Sequence, residues 1–180
     1  MGGCYLESQH DIINQVYRSK NPVIKKMRSM IGKLLIPIIR PLITEVIISD
    51  IRVYGDRARL KISPKTDLLN TLFNTVSGFI EIGDYSFTGH NVCLLTGTHN
   101  YESFLGERMD DVPSKGRDII IGKGVWIGSN AIILGPCIIG DHSVIGAGSV
   151  VLSGSNIPRG SVVAGVPAKV VRTINIQSEK

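Results

Sequence analysis

The chain has 180 residues, of which 6% are aromatic and 20 are glycine, with a formal net charge of +5. Its length suits a single domain large enough to bury a solid core. Residues 1–65 hold twelve Lys+Arg against five Asp+Glu, a balance of +7, and the remainder hold eight against ten, a balance of −2. Because these cations do not interleave with aromatics on a sheet or groove, the sequence does not read as a nucleic-acid binder.

Met1-Gly2-Gly3-Cys4 opens a poorly anchored stretch to Ser8, and Leu6 stands where myristoylation would want Ser or Thr. From Asp11 to Leu35, Ile12, Ile13, Val16, Tyr17, Val23, Ile24, Met27, Met30, Ile31, Leu34 and Leu35 fall largely at three and four spacings, a helical pattern. Pro22, Pro37 and Pro41 are expected to break this N-terminal segment, residues 1–46, into short helices. Lys25, Lys26, Arg28, Lys33 and Arg40 make it basic. Such helices suit peripheral contact with an anionic membrane or a phosphorylated, lipid-linked glycan. A solvated face on a helical cap closing the open end of a solenoid is the plainer reading and is preferred. Lys33, Arg40 and Glu45 argue against a transmembrane span.

Ile47–Ile62 alternates in short extended pieces and reads as a first, irregular coil, whereas Ser63–Thr75 reads as a loop or distorted coil of unfixed register. A six-residue phase then appears at Val76, Ile82, Thr88 and Leu94. It is lost from Asn100 to Asp118, a polar stretch with Pro113, and an excursion from a corner is predicted there.

From Ile121 to Ala168 an aliphatic residue returns at every sixth position, at Ile121, Ile127, Ile133, Ile139, Ile145, Val151, Ile157 and Val163. Four places after each stands a residue no bulkier than valine: Val125, Ala131, Cys137, Ser143, Ser149, Ser155, Ser161 and Pro167. Six is neither the helical nor the strand period. A coil with three short flat sides explains it, the aliphatic residue pointing inward and the small one lying where the interior narrows. Gly122, Gly128, Gly140 and Gly146 follow inward residues, where a chain without Cβ can bend tightly. Stacked coils give a solenoid too thin to hold rings inside. Residues 169–176 should form a final strand or tail before a frayed end.

Cys4, Cys93 and Cys137 lie far apart without metal-ligand spacing, and Cys137 reads as packing. An odd thiol count without a secretory leader leads to the expectation of a reducing, cytoplasmic setting, extending to the inner face of the membrane.

Several segments together resemble the hexapeptide-repeat acyltransferases, in the maltose, galactoside and nodulation-type O-acetyltransferase branch. They are Ile82-Gly83-Asp84, Thr96-Gly97-Thr98-His99, Val125-Trp126-Ile127-Gly128-Ser129, Ile145-Gly146-Ala147-Gly148-Ser149 and Gly165-Val166-Pro167-Ala168-Lys169-Val170-Val171-Arg172. The resemblance implies a left-handed parallel β-helix over residues 47–176, with the loop at 100–118 inserted in it. It also implies a homotrimer with sites between neighbouring subunits and acetyl-CoA as co-substrate.

Acetyl transfer from a thioester to a hydroxyl needs a base near neutral pH, which imidazole supplies. The resemblance puts the catalytic histidine at His99, at the last step before the excursion, and makes the Ser129 N–H the donor to the oxyanion. Trp126 cannot point inward; the resemblance makes it a wall of the acceptor and pantetheine site, while position alone equally suits a trimer contact. Gly128, Ala147 and Gly148 offer bare backbone on the outside of adjacent coils, as in relatives, although coil geometry alone would explain them. Lys169 and Arg172 match basic residues near the nucleotide end. The related γ-class carbonic anhydrases bind zinc through a Gly-His-x-x-x-x-His-Gly pattern that fails here at Leu95, so no metal is expected, and His90 and His142 read as exposed corner residues.

The sequence therefore reads as an acetyl-CoA-dependent O-acetyltransferase acting on a sugar or glycan hydroxyl, consistent with polysaccharide biosynthesis. N-acetylation of an amino sugar is the enzymatic alternative, and a non-catalytic interaction module the alternative of another class. Three features depart from the closer relatives: the N-terminal segment, the longer loop, and Asn100 where those enzymes often have proline.

Overall fold

The computed structural model describes residues 21–49 and 51–176. The readings made for Met1–Ser8, His10, Ile12–Tyr17 and the C-terminal end fall outside them. Two compact units meet between Val46 and Ile47.

Among the described residues the N-terminal segment holds one helix, α1 (Pro22–Ser49), which starts at Pro22 as expected but runs unbroken through Pro37 and Pro41. Asn21 caps it, its side chain accepting the Val23 N–H at 2.9 Å and its carbonyl the Lys25 N–H at 2.9 Å. Pro22 occupies the first helical position, where its missing N–H costs nothing. Pro37 and Pro41 each remove one donor, from the carbonyls of Lys33 and Pro37. Four residues apart, they leave both unpaired carbonyls on one side of a helix that otherwise continues.

The second unit is a parallel β-solenoid. Its first three strands, β1 (Arg52–Tyr54), β2 (Leu60–Ile62) and β3 (Asp67–Leu68), start one strand on each of three faces. Face A stacks β1, β4 (Leu72–Asn74), β7 (Cys93–Leu95), β10 (Ile132–Leu134) and β13 (Val150–Val151). Face B stacks β2, β5 (Ile80–Ile82), β8 (Ile119–Ile121), β11 (Cys137–Ile139) and β14 (Ser155–Ile157). Face C stacks β3, β6 (Phe87–Thr88), β9 (Trp126–Ile127), β12 (Val144–Ile145) and β15 (Ser161–Gly165). A closing strand, β16 (Ala168–Thr173), runs antiparallel to β15.

All eight in-step aliphatic residues from Ile121 to Val163 are buried, at 6% exposure or less. Their small partners Val125, Ala131, Cys137, Ser143, Ser149 and Ser161 are buried too, while Ser155 is half-buried and Pro167, in the turn after β15, is exposed, contrary to expectation. The six-residue phase is therefore an inward phase. Burying one such aliphatic side chain contributes roughly 1.5–3 kcal/mol. Two expectations about the interior fail. Phe73 is fully buried, in register with Val53 and Leu94, so one ring does fit inside. Val76 is only half-buried, the inward positions there being taken by Thr75, Ser77 and Ile80.

Of the two readings of Ser63–Thr75, the distorted coil holds and the loop does not. β3 and β4 pair with β6 and β7 in regular order, twenty and twenty-one residues ahead, because each early turn is slightly longer than the later eighteen.

The glycines after inward residues do not make bends. Gly122, Gly128, Gly140 and Gly146 all lack positive φ. A Cβ on Gly122 would lie 2.7 Å from the Asp141 backbone nitrogen, and one on Gly140 2.5 Å from that of Arg159, so the next coil's backbone excludes it. Turning is done elsewhere, by left-handed residues that recur at the B–C corner (Tyr85, Gly124, His142, Gly160) and the C–A corner (Asn91, Asn130, Gly148).

Candidate active site

His99 follows the A-face strand β7. Between them, Thr96 is fully buried, its hydroxyl donating to the Asn74 carbonyl at 2.8 Å and accepting the Ser77 N–H at 3.1 Å. A Cβ on Gly97 would meet the Asn74 side-chain amide at 2.5 Å, so the chain passes against that residue before turning out. Arg117, where the excursion returns just before β8, donates from Nε to the Thr96 carbonyl at 2.8 Å. Both ends of the excursion are thus tied to one coil, and His99 is exposed at their mouth.

The excursion carries a helix, α2 (Leu105–Asp110), which periodicity did not reveal. Asn100 closes its neck. It donates to the Asp111 carbonyl from its N–H (3.0 Å) and to Asp111 Oδ2 from Nδ2 (2.9 Å), and accepts the Glu102 N–H (3.1 Å). Proline at this position would lose the first of these bonds by chemistry alone, and all three together.

His99 Nδ1 lies 2.9 Å from the carbonyl of Arg108. A carbonyl only accepts, so Nδ1 carries the hydrogen and Nε2 keeps its lone pair. The Arg108 guanidinium holds that carbonyl in place, donating from Nε to the Ser103 carbonyl (2.6 Å) and from Nη2 to the Tyr101 carbonyl (3.0 Å), with Phe104 beneath it at 5.3 Å. Arg108, Arg117 and Asp111 escaped sequence reasoning because the excursion has no period, and the histidine's own partner is a backbone carbonyl.

The other expected site residues gather at the C–A corner and on face C. Trp126 is 47% exposed on β9, outside as expected, and stacks on Phe87 of the preceding coil at 5.9 Å and 13°. Ser129 accepts the His90 N–H on its hydroxyl at 3.1 Å and receives the Gly148 N–H on its carbonyl at 2.9 Å. Ala147 and Gly148 are exposed on the next coil. Gly128 is instead buried, because the Ala147 backbone nitrogen would lie 2.6 Å from its Cβ. Lys169 pairs with Ala164 near this corner, whereas Arg172 pairs with Val162 three residues further along face C. Both cations are exposed.

His90 sits exposed at the C–A corner as expected, whereas His142 is half-buried at the B–C corner because its ring lies over Gly124. Cys137 is buried, which pushes its thiol up to about 11 and makes it inert.

Within one chain these residues form two groups. Ser129, Ala147, Gly148 and Lys169 share one corner, beside Trp126. His99 stands at the A–B corner, which in a three-sided coil lies opposite face C.

Residues 118–153 match the profile of the bacterial transferase hexapeptide family (six repeats). A solved galactoside acetyltransferase in complex with coenzyme A is 25% identical, covering 92% of this chain and 78% of that one with a TM-score of 0.51. The chain belongs to the hexapeptide-repeat acyltransferases. Its solenoid of parallel sheets is the fold expected from that family. A maltose O-acetyltransferase from Clostridium difficile 630 is 30% identical over 71% of this chain and 68% of that one, with a TM-score of 0.49. An N-acyltransferase from Bacillus cereus in complex with dTDP and 3-hydroxybutyryl-CoA shares the fold at 17% identity, 71% of each chain and a TM-score of 0.51. No curated protein matches the chain. In this hexapeptide-repeat acyltransferase the profile spans the regular coils only, leaving His99 with its excursion on one side and Lys169 and Arg172 on the other.

Proposed function

We propose that this acyltransferase moves an acetyl group from acetyl-CoA to a hydroxyl of a sugar or glycan, with His99 as general base. The observation that carries this is the fixed tautomer of His99, whose Nδ1 is held by the Arg108 carbonyl so that Nε2 is free to accept a proton. Nε2 takes the proton of the acceptor hydroxyl as its oxygen attacks the thioester carbonyl. As the tetrahedral species collapses, the C–S bond breaks and the imidazolium returns the proton to the departing thiolate. The Ser129 N–H is the proposed donor to the oxyanion.

Coenzyme A is bound in the galactoside acetyltransferase neighbour, and this supports acetyl-CoA as co-substrate here. Exposed Ala147 and Gly148 form a ledge without bulky side chains for a pantetheine arm, Gly128 supports it from beneath, and Lys169 and Arg172 supply cations for the phosphates. Because His99 and Trp126 lie on opposite sides of one coil, a complete site requires a neighbouring copy. A homotrimer of three-sided solenoids supplies one at each junction.

The test is thiol release from acetyl-CoA by wild type and His99→Ala with a panel of sugars, amino sugars and nucleotide sugars. Wild type should show acceptor-dependent release with hydroxyl acceptors, and His99→Ala should lose about 10²–10⁴-fold. Retention of most of the activity in the variant would remove His99 from the mechanism. Release with amino sugars alone would make the enzyme an N-acetyltransferase.

A further inference from the structure

α1 stands out in both composition and exposure. No acidic residue stands between Pro22 and Thr44, while the same stretch carries Lys25, Lys26, Arg28, Lys33 and Arg40. Val23, Met27, Met30, Ile31, Leu34 and Ile38 recur at steps of one, three and four and form one apolar stripe, each 45% to 70% exposed. Lys26 and Lys33 are exposed along one flank of it, and Lys25 is exposed on the opposite side of the helix. From Leu34 onward the stripe widens. Leu34, Leu35, Ile36, Ile38 and Ile39 are exposed at 70%, 42%, 57%, 65% and 39%. Because successive residues turn by roughly 100°, these five spread over an arc of about 200°, and Lys33 and Pro37 occupy the rest of the circumference.

We infer that α1 lies in the headgroup region of an anionic lipid bilayer, its cations at the phosphates and its Leu34–Ile39 turns among the upper acyl chains. Three observations favour this occupant over a second copy of the chain. Each copy of the helix carries five cations against Glu45 alone, so packing copies together concentrates like charge. A flat protein partner covers a narrow strip of a helix, whereas acyl chains follow the broad apolar arc of about 200° from Leu34 to Ile39 as far round as it reaches. The stems of Lys26 and Lys33 can lie along the apolar stripe while their ammonium groups reach the phosphates.

The depth is also set by the sequence. The carbonyls of Lys33 and Pro37 lack a helical donor because residues 37 and 41 are proline, and an unpaired carbonyl is costly in hydrocarbon. Both carbonyls are satisfied by water at headgroup level. Consistently, no helix among the described residues is long and apolar enough to cross a membrane. α1 therefore lies in one leaflet.

The test uses the full chain and co-sedimentation with vesicles of phosphatidylcholine containing about a third phosphatidylglycerol, beside vesicles of phosphatidylcholine alone. Binding is expected to the anionic vesicles only, and to fall steeply when salt rises from about 0.1 M to about 0.5 M. Replacing three cations, as Lys25→Gln/Lys26→Gln/Lys33→Gln, should weaken it on the order of a hundredfold. Leu34→Glu/Ile38→Glu should abolish it, with the thermal transition of the solenoid by circular dichroism unchanged. No binding to anionic vesicles, or equal binding to neutral ones, overturns the inference. So does a Leu34→Glu/Ile38→Glu variant that binds vesicles like wild type but loses self-association in sedimentation velocity, since a second copy then covers the helix. Should either variant misfold, lipid composition and salt applied to the wild type decide alone. The outcome does not depend on acetyl transfer.

Discussion

The solenoid has two halves that solve the same problem differently. From Ile119 to Val163 each turn takes eighteen residues, and the interior is almost wholly aliphatic, with Ser143, Ser149 and Ser161 at its narrow places. From Ile51 to Thr96 each turn takes twenty or twenty-one, and Thr71, Thr75, Ser77, Ser86, Thr88 and Thr96 are buried among the apolar groups. Most of these hydroxyls are bonded: Thr71 to Thr88 at 2.8 Å, Thr75 to the Asp56 carbonyl at 2.8 Å and Ser86 to the Gly122 carbonyl at 2.8 Å. The regular half holds its shape by repetition, and the irregular half by individual polar bonds. His99 belongs to the irregular half, where one position can differ from its counterparts without breaking a repeat.

If the irregular half is as firmly packed as the regular one, its sole buried ring should matter as much as any isoleucine. Phe73→Ala is expected to cost about 3–5 kcal/mol in urea unfolding. A cost below about 1 kcal/mol would show the first coils to be loosely held and break the comparison. Cys137 probes the regular half. Burial keeps its thiol protonated up to about 11, against an ordinary 9.0 for the unfolded chain. The folded-state value is raised, so this contribution is complete below pH 9 and is lost as pH rises towards 11. It amounts to about 2 kcal/mol, visible as a falling melting temperature that Cys137→Ala flattens. Arg108→Ala tests whether individual bonds carry the function of the irregular half. Loss of the grip on Tyr101 and Ser103 frees the carbonyl that orients His99, and kcat should fall about tenfold, a loss of roughly 1.4 kcal/mol. KM and the melting temperature should stay near wild type. A change confined to KM would mean that the loop serves acceptor binding instead.

How far the sequence could be read follows the same division. Inward residues at Ile121, Ile127 and their successors were legible because one side of the coil equals one hexad, so periodicity and geometry are the same statement. The early coils broke that equality by two or three residues, which hid the register of Leu68 and Phe73. Gly122 and Gly140 were recognised as necessary, but for the wrong cause: the constraint is the neighbouring coil's backbone, which no local pattern reports. Trp126 was placed correctly on the outside, since a ring facing inward on face C would break the aliphatic phase. The partner of His99 was invisible, because every residue owns a carbonyl and only the fold decides which one arrives. The continuity of α1 was missed because each proline weakens a helix without ending it when its flanking residues still bond.

Ile80 pairs with Ile119 as regularly as Ile119 pairs with Cys137, although the first step is thirty-nine residues and the second eighteen. Register in this molecule is therefore kept by position on the perimeter and is blind to distance along the chain. Length is rigid along the flat sides, where one residue more would turn the interior outward, and free at the corners. The segment from Asn100 to Asp118 is thus a socket that a different loop can occupy without retuning the rest. The loop can be exchanged by grafting between His99 and Ile119, while the stack of isoleucines behind it stays as it is.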